Sequence, residues 1–272
     1  MSGRTLYYQV AMALLLCLSV LKVQAKDDYT LEVGAGFTAG QLPEYLGSPD
    51  DYEFVLPFPY IYYKDDSLTI AQNTLKDQLY TIGPFELSLS ASGAIPVKSR
   101  TGSLRADMPD LGWVGELGPA LEYKLSPQLT LALQVRKAIG FESSSFSDVG
   151  WHSSTRLMWH NSLSLHKLGD LILHTELSID HADSHYHQYY YGVDSSYQTF
   201  DRAFYAAKSG INNMALSSGL TWRYKQLWLG LYAKYFDLSK AANKASPLLV
   251  ESNQLSAGIA FSWIFWTNKR GE

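Results

Sequence analysis

The stretch "DHADSHYHQYYY", residues 180 to 191, holds the densest set of ligating side chains in the chain: His181, Asp183, His185 and His187. Imidazole nitrogens beside a carboxylate are what a transition metal takes up, and on a strand His185 and His187 would share one side. No spacing there matches a zinc signature, so the expected role is a hydrated polar loop and no metal ligand is assigned. A base beside a nucleophile occurs twice, in His160-Asn161-Ser162 and His152-Ser153-Ser154. Alternation on a strand lets His160 share a face with Ser162 but not with Asn161, and no orienting carboxylate is fixed by spacing. The chain is therefore expected not to be an enzyme, with no catalytic and no cofactor-binding residue. A third set, Arg136, Arg156, His160, His174, Glu176 and Asp180, falls on the polar positions of three neighbouring segments. It would form a charged network bracing a narrow interior, or a filter for solutes.

Those positions are defined by a period of two that recurs along most of the chain. "QLTLALQVRK" sets Leu129, Leu131, Leu133 and Val135 against Thr130, Ala132, Gln134 and Arg136. "PFELSLSAS" sets Phe85, Leu87, Leu89 and Ala91 against Glu86, Ser88, Ser90 and Ser92. The last segment, "QLSAGIAFSWIFW", puts Leu255, Ala257, Ile259, Phe261, Trp263 and Phe265 on one face. Tight connections at Ser126-Pro127, Lys167 to Asp170 and Lys225-Gln226 alternate with long polar stretches at 94–111, 141–152, 182–210 and 239–253. Brief turns on one side and long loops on the other, joining strands of about ten residues, are the pattern of a transmembrane β-barrel. A soluble sandwich would be expected to carry more charge on its polar faces.

The predicted strands lie near 29–38, 52–63, 85–93, 112–124, 128–140, 153–166, 170–182, 211–224, 226–238 and 254–266, with two short ones from 67–82. The fold is all-β, an antiparallel transmembrane barrel of about 12 strands, or ten if 67–82 forms no membrane pair. Pro57 and Pro59 share a face and cannot donate ladder hydrogen bonds, so the second strand is expected to pair irregularly or to open its pairing locally there, or to bend.

Composition sets the compartment. The chain has 272 residues, 46% hydrophobic and 14% aromatic, with a formal net charge of −4 and no basic block. Nucleic acid is thus not an expected partner. "MSGRTLYYQVAMALLLCLSVLKVQA" reads as a secretory signal cut after Ala25, because its apolar run of about a dozen residues falls short of the roughly 20 that span a bilayer. Its removal takes Cys17, the only cysteine. Residues 26–272 then form a single barrel domain in the outer membrane of a Gram-negative bacterium, in contact with its lipid, ending in a short periplasmic tail, 267–272.

Several stretches in order, "LEVGAGF", "PEYLGSPDDYEFVLPFPYIYY", "YYYGV" at 189–193 and "FYAAKSG" at 204–210, resemble the MipA/OmpV family of outer-membrane proteins over almost the whole chain after Ala25. Ser256, Gly258, Phe261 and Trp263 resemble the terminal signal read by the barrel-insertion machinery, although "TNKRGE" follows where such proteins usually stop. The resemblance implies a scaffold that brings together a murein transglycosylase and a peptidoglycan synthase. Other members imply porin-like passage of small solutes, or a surface adhesin or immunogenic protein.

Overall fold

Period-two segments pair with their sequence neighbours, and the pairing runs all the way round. The computed structural model describes residues 29–65, 68–71, 74–142 and 145–270; the expected leader, 1–25, lies outside them. Twelve strands occur among the described residues: β1 (Tyr29–Pro43), β2 (Asp51–Lys64), β3 (Leu68–Ala71), β4 (Thr74–Ile82), β5 (Phe85–Ala94) and β6 (Trp113–Lys124), then β7 (Leu129–Glu142), β8 (Ser145–Ser164), β9 (Asp170–Ala182), β10 (Gly210–Tyr224), β11 (Leu227–Asp237) and β12 (Asn253–Arg270). Every pairing is antiparallel, and β1 also pairs with β12 from Tyr29↔Arg270 to Gln41↔Ala257, which returns the strand order to its start as a closed barrel. At this seam Gly34 and Gly36 face the backbone of β12 so closely that a methyl group on either would run into the carbonyl oxygen of Trp263 or Phe261. Among the described residues no helix is long and apolar enough to cross a membrane, which says nothing about strands.

The two faces sort as the alternation requires. Leu255, Ile259, Phe261 and Trp263 stand exposed on the outside of β12, whereas Gln254, Ser256 and Ser262 are buried on the inside. The register carries the same inward set to Glu32 on β1, Ser88 on β5, Glu116 on β6 and Arg136 on β7, all buried.

The structure corrects three expectations. Residues 267–270 are not a tail: β12 runs on through them opposite β1, from Thr267↔Glu32 to Arg270↔Tyr29, because β1 begins early enough to supply partners. The stretch 141–152 is not a loop, since β7 and β8 pair up to Glu142↔Ser145 and extend the hairpin past the expected ends. The long 182–210 connection contains a helix, α1 (Ser184–Tyr191). The prolines of β2 interrupt pairing on one edge only: β1 and β2 pair in unbroken register through Pro57↔Phe37 and Pro59↔Ala35, while among the described residues β2 meets β3 only at Tyr63 and Lys64. An antiparallel strand aims alternate N–H groups at opposite neighbours, so the missing donors of both prolines belong to the edge facing away from β1.

Candidate functional site

At the long-loop end the connections are packed rather than solvated. Asp183 caps α1, its side chain accepting from the Tyr186 N–H at 2.7 Å, which sets the helix running where the barrel wall ends. Tyr186, His187, Tyr190 and Tyr191 are buried. The three tyrosines belong to an apolar cluster with Tyr45 from the β1–β2 connection, Val97, Met108 and Leu111 from β5–β6, and Leu238, Leu248 and Leu249 from β11–β12. The main buried apolar core of this protein is therefore a lid on the barrel.

Buried polar groups stitch the loops together. The Tyr45 hydroxyl donates to the Leu248 carbonyl at 2.9 Å and the Ser246 hydroxyl to the Tyr191 carbonyl at 2.7 Å. The Arg105 guanidinium reaches the Tyr190 carbonyl, and Arg202 Nη1 donates to the carbonyls of Leu104 and Ala106 at 2.8 Å each. Burial pushes the Tyr45 hydroxyl up to about 12 and raises those of Tyr190 and Tyr191 further, so these phenols stay protonated and donating at neutral pH.

One carboxylate fastens the lid to the barrel interior. Glu116 Oε1 accepts from the Tyr186 hydroxyl of α1 at 3.0 Å, and its Oε2 accepts from Arg136 Nε at 2.9 Å. His152 Nδ1 lies 3.0 Å from the same Oε2 and 3.1 Å from Arg136 Nη2; it can donate to the first or accept from the second, as the tautomer dictates. Arg136 Nη1 spends its remaining donors on Gln134 and Ser90, and the Tyr186 ring stacks on His152 with centroids 5.3 Å apart. Four elements, β6, β7, β8 and α1, thus converge on one anion, with a partner on each of its oxygens. Such a group clamps the lid to the wall.

A second clamp crosses the interior toward the short-turn end. Arg223 on β10 donates to Glu32 Oε1 on β1 at 2.6 Å, across a span that skips β11 and β12. The Tyr60 hydroxyl adds a 3.3 Å bond to Oε2, and the Tyr60 ring packs on Trp228 at 5.8 Å. Glu32 is 1% exposed, so this charge depends on its partners. The turns beyond are small, and Lys167, Lys225 and Lys269 stand on them or on the end of β12.

The residues singled out by their chemistry are mostly dispersed. His181 is the penultimate residue of β9, Asp183 caps α1, His185 is an exposed neighbour of Asp148 at 3.8 Å, and His187 is buried with Nδ1 donating to the Lys208 carbonyl at 2.6 Å. The expected strand pairing of His185 with His187 is overturned, because on a helix residues two apart point in nearly opposite directions. Of the expected charged network, Arg136 belongs to the Glu116 clamp, Arg156 and Glu176 form a separate pair at 3.5 Å, and His160 faces His174 with ring centroids 6.4 Å apart. Asp180 is buried beside Ser154 in register. The set is a series of pairs and not one network. Glu116, Tyr186, Glu32 and Arg223 were not foreseen; a lone carboxylate on the polar face of an otherwise small-residue strand was the available signal for Glu32.

A family model described as MltA-interacting protein MipA matches residues 33–265. No curated protein matches the chain. Among solved structures, OprB of Pseudomonas putida is 11% identical, with 88% of this chain and 94% of that one covered at a TM-score of 0.34. OccK8 (OprE) of Pseudomonas aeruginosa is 11% identical over 77% and 68% at 0.29, and the toluene transporter TbuX of Ralstonia pickettii 8% identical over 89% and 72% at 0.26. These are loose likenesses.

Proposed function

Since the chain belongs to the MipA family of MltA-interacting proteins, we propose that it is a non-enzymatic outer-membrane barrel that serves, from its periplasmic end, as a docking scaffold for a murein transglycosylase and the peptidoglycan synthase that works with it. The leader 1–25 is removed on export, and residues 26–272 form one barrel domain inserted by the barrel-assembly machinery. The outward ring of Leu, Ile, Phe and Trp side chains supports membrane insertion, since a continuous apolar belt of this size has no stable place in water. Its Trp222, Tyr224, Trp263 and Trp266, near the short-turn end, suit the headgroup boundary. Short turns then face the periplasm and long loops the exterior.

The observation that carries the scaffold reading over axial solute passage is the lid. Four long loops are packed on one another and bolted to Glu116, which leaves the short-turn end as the accessible working face. The surface there is limited, and contacts well below about 1,200 Å² are typically weak and transient. Cross-linking probes at Lys167, Lys225 and Lys269 should capture a murein transglycosylase, while purified protein in planar bilayers stays closed. Discrete conductance steps together with no periplasmic capture would overturn the scaffold and favour transport.

A further inference from the structure

The barrel wall is incomplete between β2 and β5. Only 20 residues separate Lys64 from Phe85, and they must climb and return, so they yield a 4-residue β3 and a 9-residue β4 between a 14-residue β2 and a 10-residue β5. At about 3.3 Å per residue, β3 rises roughly 13 Å where β2 runs roughly 46 Å. β2 meets β3 only at Tyr63↔Ile70 and Lys64↔Thr69, and β4 leaves β5 at Asp77↔Leu89. Among the described residues, β2 from Asp51 to Tyr62 has no strand paired on its edge away from β1, and β5 from Ser90 to Ala94 has none paired on its edge away from β6. Two missing strands correspond to three spacings of about 4.8 Å, roughly 14 Å of wall. The gap has a closed frame. Its upper border is the Tyr52 hydroxyl donating to the Pro96 carbonyl at 2.9 Å and the Arg100–Glu44 ion pair; its lower border is the β3–β4 hairpin.

The bare edge is chemically adapted to standing unpaired in an apolar medium. An open strand edge is not tolerated in hydrocarbon because each unsatisfied donor or acceptor there is costly. Pro57 and Pro59 fall on the positions whose N–H would point into the gap, and they delete two of those donors. The side chains beside them are apolar on both faces: Val55 outward at 72% exposure, and inward Phe54, Phe58 and Leu56, the last 52% exposed although it faces the interior. Elsewhere the interior carries charged and polar clamps, with the aromatic Trp228 and Tyr232 on β11, whereas β2 presents a run of three wholly apolar side chains that has no use in a purely aqueous lumen. It continues the outer apolar face around the edge and into the barrel.

We propose that the gap is a lateral portal through which the acyl chain of an amphiphile in the surrounding bilayer enters the barrel and lies along Phe54, Leu56 and Phe58. The proposal rests on the barrel spanning a membrane, and its test separates the two. Because the sole cysteine, Cys17, falls in the expected leader, single cysteines can be placed cleanly at Leu56→Cys in the portal, Leu133→Cys on the outer face of β7 and Ser217→Cys on the inner face of β10, the last two at positions paired on both sides. Each is labelled with a small fluorophore and reconstituted in vesicles containing phospholipid that carries a nitroxide on its acyl chain, with heat-modifiable gel migration as the folding control.

Quenching at Leu56 several-fold above Ser217 and approaching Leu133 is the expected result, and Phe58→Cys, a second inward position, should follow Leu56. Quenching at Leu133 with Leu56 and Phe58 both at the Ser217 level would overturn the portal, whether because a second copy or another protein segment covers the gap. No quenching at Leu133 either would overturn membrane insertion itself.

Discussion

Replacing Tyr186 with phenylalanine keeps the ring stacked on His152 and Tyr190 and removes only the hydroxyl that reaches Glu116. Both ends of that bond are buried, so the loss is not recovered from water. A hydrogen bond to a charged group is worth about 1.5–3 kcal/mol, which converts to roughly a 10- to 150-fold larger opening constant for the lid. Amide hydrogen exchange of Ser184–Tyr191 in reconstituted protein reads that constant directly, with the amides of β7 as an internal reference that should not change. Pairing Tyr186→Phe with Glu116→Gln should give non-additive effects, with a coupling of about 0.5–3 kcal/mol, because both act on one bond. If α1 in Tyr186→Phe exchanges at the wild-type rate, Glu116 does not hold the lid, and the argument that the lid closes the long-loop end loses its anchor.

Leu131→Arg, on the outward face of β7, should lower the stability of the membrane-inserted protein by about 2–4 kcal/mol, read as a shift in denaturant midpoint in vesicles. Arg223→Ala strands Glu32 as a buried unpaired charge and should cost about 3–5 kcal/mol in the same assay; a loss under 1 kcal/mol would mean that water reaches Glu32. His187 is 0% exposed, and burial holds its imidazole below the usual value, an effect opposed by the Lys208 carbonyl, Asn212 and Asp183 and reinforced by His152. The folded lid therefore binds fewer protons than the open one once pH falls below about 6.5, so lid stability is full above that value and declines on acidification. Proteolysis of the 183–209 connection should be faster at pH 5.5 than at 7.5, and His187→Gln should flatten the difference.

How much could be read in advance divides along a physical line. Alternation is a local property, so the spans of β5, β6, β9, β10 and β11 were legible to within a residue or two. The two short strands within 67–82 followed from parity. The helix was not legible: Tyr189 to Tyr191 have strand-forming side chains, and α1 exists because loops from three other hairpins cover it. The clamps were invisible for a related reason. Arg223 finds Glu32 by crossing the interior, and Arg136 is shared with Glu116 only once the β6–β7 register is known. Arg136→Ala, a change on the inward face, becomes a substitution that removes one of the three partners of a buried carboxylate. Pro57 and Pro59 were legible as ladder breakers, but which ladder they broke needed the neighbour on each side.

The β1–β12 seam has a kinetic consequence. It joins strands separated by nearly the entire described chain, whereas all other ladders link consecutive strands. Contacts of such sequence separation form late, after the local hairpins have repaid their own loop-closure entropy. The lid draws on β1–β2, β5–β6, β9–β10 and β11–β12, so it too can pack only once the first and last hairpins have been brought side by side. Until the glycines of β1 dock against β12, an assembling molecule is an open sheet with two bare edges and an unfinished cap. Its residence time in that state, rather than the strength of any finished contact, sets how long those edges stand exposed to other chains.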